Sequence, residues 1–311
     1  MKTLTPYHFA PVRAEGFVAF HARVKQAGGH VCFDLEDSVQ GPDAATTRAL
    51  KAARRRAIAG LSAQLPPPGR PHGLGLRLNP PDSAHYAPDL ALVRQLPPLA
   101  CVFVPKVETP AALAQALREL PATVGSVVPV IESVAGFAQL AAILAVRHPA
   151  FTALAFGHCD YNLSGGHFPF HHQTSPRYWA WIRALDAAAR RAGKQLLNSP
   201  VLQLDDDAAF ARMLARARPF ASLVGQITLC LAHTRLCAAP PGPAAGPAMG
   251  PAATGRRALA AGLVRRFERH RLDAGAFALD GRREVISPHE YAAARRVLLA
   301  PAPAPAEPCT W

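Results

Sequence analysis

The 311-residue sequence lacks most of the features that would place it quickly. It has no CxxC pair. Its cysteines, Cys32, Cys101, Cys159, Cys230, Cys237 and Cys309, are scattered, and several sit in apolar runs where a free thiol packs as a small hydrophobe. That pattern fits a reducing compartment and a cytoplasmic protein. An apolar leader is also missing: Met1 to Phe20 holds neither a continuous apolar run nor a small-residue cleavage site. Acidic residues are scarce, 21 Asp and Glu against 34 Lys and Arg, for a formal charge of +13. The excess is nevertheless spread thinly, as arginines on Ala-rich stretches such as 52–56 and 187–191. Aromatics make up only 7% of the chain and are not interleaved with a basic block. No helix-turn-helix, RNP or zinc-finger spacing occurs, so nucleic acid is not the expected partner. Dispersed cations suit small anions, carboxylates or CoA phosphates, at least as well. Long apolar runs are absent too, with one near exception. Val127 to Val146 carries a single charge, but Pro129, Glu132 and Gly136 divide it into a β-branched run and an Ala/Leu-rich helix, so a buried strand followed by a helix explains it better than a membrane span.

What is present is a repeat of short apolar runs separated by Ala-rich helical stretches. The runs are Tyr7–Phe9, Val31–Leu35, Leu74–Leu78, Cys101–Val104, Val127–Ile131, Ala153–Phe156, Gln195–Leu197 and Ser222–Leu229. They are continuous rather than alternating, as strands of a parallel sheet covered by helices should be. Eight βα units predict an α/β fold, a (β/α)8 TIM barrel over residues 1–237, with a doubly wound sheet as the runner-up. The Ala/Gly/Pro-rich stretch 238–255 reads as a linker, 256–299 as a C-terminal helical extension with a turn at Asp280-Gly281, and 300–311 as a disordered tail. Pro66 to Pro71 reads as a loop before the third strand.

Polar residues gather where the predicted strands end: Glu36-Asp37, Asn79, Lys106, Glu132 and Gly157 to Asp160. A barrel brings all these ends to one rim, where such folds do chemistry. A carboxylate that closes a buried strand is costly unless paired, hydrogen-bonded or bound to a metal. Glu132 and Asp160, on neighbouring strand ends, are therefore candidate ligands for Mg2+ or Mn2+; an Arg partner or a helix cap is the plainer account of either. Arg77 points into the mouth if Leu76 and Leu78 face the helices. There it would clamp a substrate carboxylate or form a buried salt bridge with Glu36 or Glu132. His158, His167, His171 and His172 follow the sixth strand without zinc spacing, so a loop over the mouth, loosened by Gly165-Gly166, is the expectation. Asp205-Asp206-Asp207 reads as a solvated helix start.

Five motifs fall in order at barrel spacing: Phe33-Asp34-Leu35-Glu36-Asp37-Ser38, Arg77-Leu78-Asn79, Val104-Pro105-Lys106-Val107-Glu108, Val130-Ile131-Glu132-Ser133 and Phe156-Gly157-His158-Cys159-Asp160. Together they resemble the HpcH/HpaI aldolase/citrate lyase β-subunit-like family across residues 5–235, with a weaker echo in Phe277 to Leu299. The resemblance implies a Mg2+-dependent carbon–carbon lyase acting on a small 2-oxo or hydroxy acid, such as oxaloacetate or pyruvate, through a metal-stabilised enolate. It gives Glu132 and Asp160 to the metal, and Arg77 to the substrate and to charge developing on its oxygens. Glu36 and Asp37 would lie near the metal's waters, Lys106 would bind an anion or pair with a carboxylate, and Gly157 and His158 would line the substrate. A homotrimer or higher homo-oligomer is implied as well.

The chain also departs from the family pattern. Thr5-Pro6-Tyr7-His8-Phe9 stands where an Arg-Ser pair is common, and Gly225-Gln226 where Gly-Lys is usual. Near Val285-Ile286-Ser287 the Asp that serves malyl-CoA lyase relatives as proton donor is missing. Two other functions therefore stay open: a CoA-ester lyase for malyl-, citramalyl- or citryl-CoA, and a catalytically silent barrel that binds metal and ligand within a larger assembly.

Overall fold

A computed structural model describes residues 2–65, 73–239, 255–271 and 277–300. The Pro66–Pro71 loop, nearly all of the 238–255 linker and the tail beyond Ala300 lie outside the described residues.

Strands β1 (Thr5–Phe9), β2 (His30–Asp34), β3 (Leu74–Arg77), β4 (Cys101–Val104), β5 (Val127–Ile131), β6 (Ala153–Phe156), β7 (Gln195–Asn198) and β8 (Leu223–Thr228) follow one another with helices between them. Each pairs in parallel with the next. β8 returns to β1, with Gly225 beside Thr5 and Thr228 beside His8, so the sheet closes. Closure decides for the barrel and against the doubly wound sheet.

The alternation along each strand sets what reaches the axis. Val31 and Phe33 of β2, and Leu74 and Leu76 of β3, join the large core between sheet and helices. Cys32, Cys101, Phe103, Val128, Val130, Ala153, Ala155 and Leu197 form a smaller core inside the barrel. Gly75 is required there, because a Cβ would fall 2.6 Å from Cys101 Sγ and 2.7 Å from Cys32 Sγ. The same parity brings Asp34, Arg77 and Glu132 to the inner rim.

The apolar stretch 127–146 divides as its Pro, Glu and Gly residues demand, into β5 and two short helices, Val134–Ala138 and Leu140–Leu144. No helix among the described residues is long and apolar enough to cross a membrane. Asp206 caps the helix Asp207–Ala217, accepting from Ala209 N at 2.7 Å.

The C-terminal extension holds the helix Arg256–His270, an antiparallel pair β9 (Ala278–Leu279) and β10 (Val285–Ile286), and the helix Pro288–Leu299. It folds back onto the barrel. Val285 N donates to Leu202 O at 2.8 Å and Leu204 N to Arg283 O at 3.1 Å. Ala293 and Ala294 of the last helix pack with Phe168 and Phe170, and the helix lies against His158–Ser164, just past β6. The first turn of that last helix is thereby brought over the barrel mouth.

One buried residue of β1 makes stability depend on pH. His8 is 2% exposed, its Nδ1 lies 2.7 Å from Thr234 Oγ1, and burial lowers its pKa from 6.5 to about 4. As pH falls the unfolded chain takes this proton first. The His8 contribution is thus fully present above about pH 6.5 and is lost as pH falls towards 4. Chemical unfolding at pH 7 and pH 5 should show a loss of about 1–3 kcal/mol from this group. His8→Gln, which keeps a hydrogen-bonding atom but does not titrate, should lose less between the two pH values; an equal loss would put the proton elsewhere.

Candidate active site

The rim at the C-terminal ends of the strands carries two linked groups of charges. The first is built on Asp34, where β2 ends. Arg77 of β3 donates through Nε to Asp34 Oδ1 and through Nη2 to Asp34 Oδ2, both at 2.7 Å. The backbone amides of Glu36 and Ser38 donate to the same carboxylate at 2.9 and 3.0 Å. Burial opposes ionisation, but the Arg77 charge and these hydrogen bonds hold the Asp34 carboxyl well below the usual carboxylate range.

Arg77 Nη1 also reaches Glu36 Oε2 at 3.1 Å and Asp37 Oδ2 at 3.8 Å, and Lys106 Nζ meets Glu36 Oε1 at 2.9 Å. Burial, against the pull of Arg77, pushes the Glu36 carboxyl up to about 7. The turn bearing Glu36 and Asp37 is fixed from behind. Buried Lys51 donates to the carbonyls of Leu35 and Glu36 at 2.6 and 2.8 Å and to Asn79 Oδ1 at 2.6 Å.

The second group centres on Glu132, just past β5. It is 3% exposed and ion-paired to no side chain among the described residues. Its one hydrogen bond there comes from the backbone amide of Lys106, 2.7 Å from Oε1. Lys106 reaches this position with φ at 54°, in the left-handed region, at a cost of about 1–3 kcal/mol. The strained residue serves both groups, its amide held by Glu132 and its ammonium by Glu36. Burial, then the nearby Asp160 charge, raises the Glu132 carboxyl well above the usual range. Gly157 closes in on it: a Cβ would lie 2.6 Å from Glu132 Cβ and nearer still to the carboxylate.

Asp160 stands in the first turn of the helix His158–Ser164, and its Oδ1 is 3.0 Å from His289 Nε2. Burial opposes its charge, while the His289 hydrogen bond and charge hold its pKa down. Asp37 Oδ2 approaches the same His289 nitrogen at 3.8 Å. Asp37, Asp160 and His289 each offer a ligand atom, all within 4.8 Å of one another.

The family description HpcH/HpaI aldolase/citrate lyase matches residues 23–227, more than half of the chain. The chain belongs to that family. It is therefore a lyase, built on the barrel described above. No curated protein sequence matches it. Among solved structures it is similar to RipC from Yersinia pestis (21% identity, TM-score 0.57, 75% of this chain and 93% of that one). It is also similar to the citrate lyase β subunit complexed with oxaloacetate and magnesium from M. tuberculosis (18%, 0.58, 76% and 96%). A citrate lyase from Burkholderia xenovorans aligns at 21% identity, TM-score 0.60, over 76% of each chain. At these identities the likenesses speak for the fold alone.

In this family member the structure brings Glu36, Asp37, Arg77, Lys106, Glu132 and Asp160 to one rim, as the sequence predicts. Arg77 differs in detail. Its clamp is closed on Asp34, a residue given no role from the sequence, with Glu36 on Nη1, and a carboxylate ligand would have to use the remaining N–H groups. Gly157 and His158, expected to line the substrate, are otherwise engaged. The Gly157 amide donates to Ile131 O at 3.0 Å. The His158 ring is 1% exposed, with Nε2 3.0 Å from His172 Nδ1, and His172 continues to Glu290 at 3.4 Å. The loop rich in histidine places His167 and His171 around Trp181.

His289 is the residue that sequence reasoning missed, and a signal for it exists. Ser287-Pro288-His289-Glu290 has the spacing of a helix start, and Ser287 Oγ accepts from Glu290 N at 3.1 Å. The motif puts His289 in the first turn, two residues beyond Val285-Ile286-Ser287.

Proposed function

We propose that the chain is a Mg2+- or Mn2+-dependent carbon–carbon lyase for a small 2-oxo or hydroxy acid, with Glu132 and Asp160 holding the metal. The observation that supports this most is Glu132: a carboxylate only 3% exposed, one strand from a second one, with no cationic side chain paired to it among the described residues. Such a group is costly in an apolar site unless a cation completes it, and hard divalent ions take oxygen ligands of this kind. The similar citrate lyase β subunit from M. tuberculosis is complexed with oxaloacetate and magnesium, and the similar protein CitE from that organism with magnesium and pyruvate. When bound, the ion supplies Lewis-acid polarisation of the acid's oxygens.

The protein's own part is to bind and orient. Arg77, locked by Asp34, presents its remaining N–H groups to the mouth for the substrate carboxylate, and Lys106, tied to Glu36, adds a second cation. Glu36 and Asp37, fixed by Lys51, border the space between these cations and Glu132. The Lys106 amide fixes one oxygen of Glu132, and Gly157, with no side chain, leaves room for the carboxylate beside it.

The test is calorimetry with Mg2+ or Mn2+, followed by oxaloacetate and pyruvate at saturating metal, beside a turnover panel of 2-oxo acids, 2-hydroxy acids and their CoA esters. An oxo acid should bind only when metal is present, and cleavage should need both. Oxo-acid binding that is indifferent to metal would sink the reading, and acetyl-CoA release from a thioester would move the substrate to the CoA-ester class.

A further inference from the structure

Of the charged clusters outside the motifs, the one at the start of the helix Pro288–Leu299 reaches the rim itself. We propose that His289 Nε2 joins Asp160 as a protein ligand of the metal centre, with Asp37 the other carboxylate within reach of both, and that this nitrogen turns the site away from Mg2+ towards transition ions such as Mn2+. The proposal rests on the reading of Glu132 and Asp160 as a metal site and adds a ligand from a different part of the chain.

Distances favour it. Six-coordinate ions with bonds of about 2.1 Å keep neighbouring ligand atoms about 3.0 Å apart and opposite ones about 4.2 Å apart. His289 Nε2 stands 3.0 Å from Asp160 Oδ1 and 3.8 Å from Asp37 Oδ2, inside that range on both sides. The ligand atoms of Asp37, Asp160 and His289 all lie within 4.8 Å of one another, a group that does not include Glu132. This is a ligand set of mixed oxygen and nitrogen rather than a bare acidic cluster.

The residue is held in place. Ser287 caps its helix and Pro288 starts it, β10 is tied to Leu202 by a backbone hydrogen bond of 2.8 Å, and the helix packs on the one that carries Asp160. The His289 side chain is only 15% exposed, so its ring lies within the rim rather than in solvent.

Chemistry then separates the ions. Mg2+ prefers oxygen and dehydrates reluctantly, whereas an imidazole is a good donor to transition ions and affinity for nitrogen rises along that series. A site of two carboxylates and one imidazole belongs with the latter.

Pulsed electron paramagnetic resonance of the Mn2+-loaded full chain reads the ligand directly. Nitrogen modulation from a coordinated imidazole should be present in the wild type and absent in His289→Gln and His289→Asn. Calorimetry should show Mn2+ affinity lowered by about ten- to hundredfold in those variants, with Mg2+ affinity lowered less. Two variants guard against one that folds poorly, and the wild-type spectrum needs neither. Mn2+ bound without nitrogen modulation would overturn the His289 assignment and leave the carboxylate site standing. Tighter metal binding in the variants would also overturn it, by showing that the imidazole merely occupies the ion's place. If neither ion binds the wild type, the carboxylate reading fails and this one with it.

Discussion

Glu132→Gln should abolish metal binding and, at the same time, make the metal-free protein more stable. The two effects share one cause. The wild-type carboxylate is 3% exposed and, among the described residues, is held by one backbone donor and no ion pair, so its charge lacks a direct partner until a cation arrives. Gln keeps an oxygen for the Lys106 amide and removes the charge. The metal-free fold should gain about 1–3 kcal/mol, the usual penalty of an unsatisfied buried group. The sign agrees with the raised Glu132 pKa. The unfolded carboxyl ionises first, so stability is full at low pH and is lost as pH rises through the folded value; the variant should lose that dependence. Metal affinity should fall by about two orders of magnitude or more, since even outer partners of metal ligands cost about 10–100-fold. Asp160→Asn makes the contrast. It too should lose the metal, but Asp160 is already held charged by His289 at 3.0 Å, so the variant should gain no stability. Thermal unfolding with and without Mn2+, beside calorimetric titration, measures both halves. Wild-type metal affinity in Glu132→Gln would place the site elsewhere.

How much of this was legible in the sequence depends on the range of the interaction. The central strands were legible because a buried parallel strand writes itself locally, as a short continuous apolar run: Cys101–Val104, Val127–Ile131 and Ala153–Phe156 match to the residue, whereas β1, β7 and β8 carry polar residues and were bounded less closely. The inward aim of Arg77 was legible as well, from Leu76 and Leu78 on either side. Which group Arg77 would meet was not. Asp34 lies on the neighbouring strand directly opposite Arg77, and that register is set by the whole barrel closing rather than by either segment. His289 shows the same limit more sharply. Its contact with Asp160 spans more than a hundred residues and crosses the stretch 240–254, which no periodicity bridges. The five motifs end before it and the resemblance around it is weak, so the Ser-Pro-His-Glu helix start marked the place.

The role of Arg77 can be separated from its pairing with Asp34 by a double-mutant cycle. The pair is bidentate and nearly buried, with side chains 17% and 9% exposed. Arg77→Met strands Asp34, and to a lesser degree Glu36, so it should destabilise the protein by about 3–5 kcal/mol, the cost of breaking a buried ion pair from one side. Adding Asp34→Asn removes the stranded charge. Because replacing both partners is often close to neutral, the double variant should recover most of that loss. Ligand binding should behave differently. If the remaining N–H groups of Arg77 hold the substrate carboxylate, oxaloacetate affinity at saturating metal stays low in the double variant. It should be down by about one to two orders of magnitude, the worth of a charge-assisted hydrogen bond. Metal affinity should change less than oxaloacetate affinity, since Arg77 forms no ion pair with Glu132 or Asp160 and acts on them only through its charge. Unfolding in denaturant gives the first quantity and calorimetry the other two. Recovery of both stability and oxaloacetate binding in the double variant would reduce Arg77 to a strut for the β2–β3 rim. Recovery of stability alone would make it the residue that tells a carboxylate substrate from a neutral one.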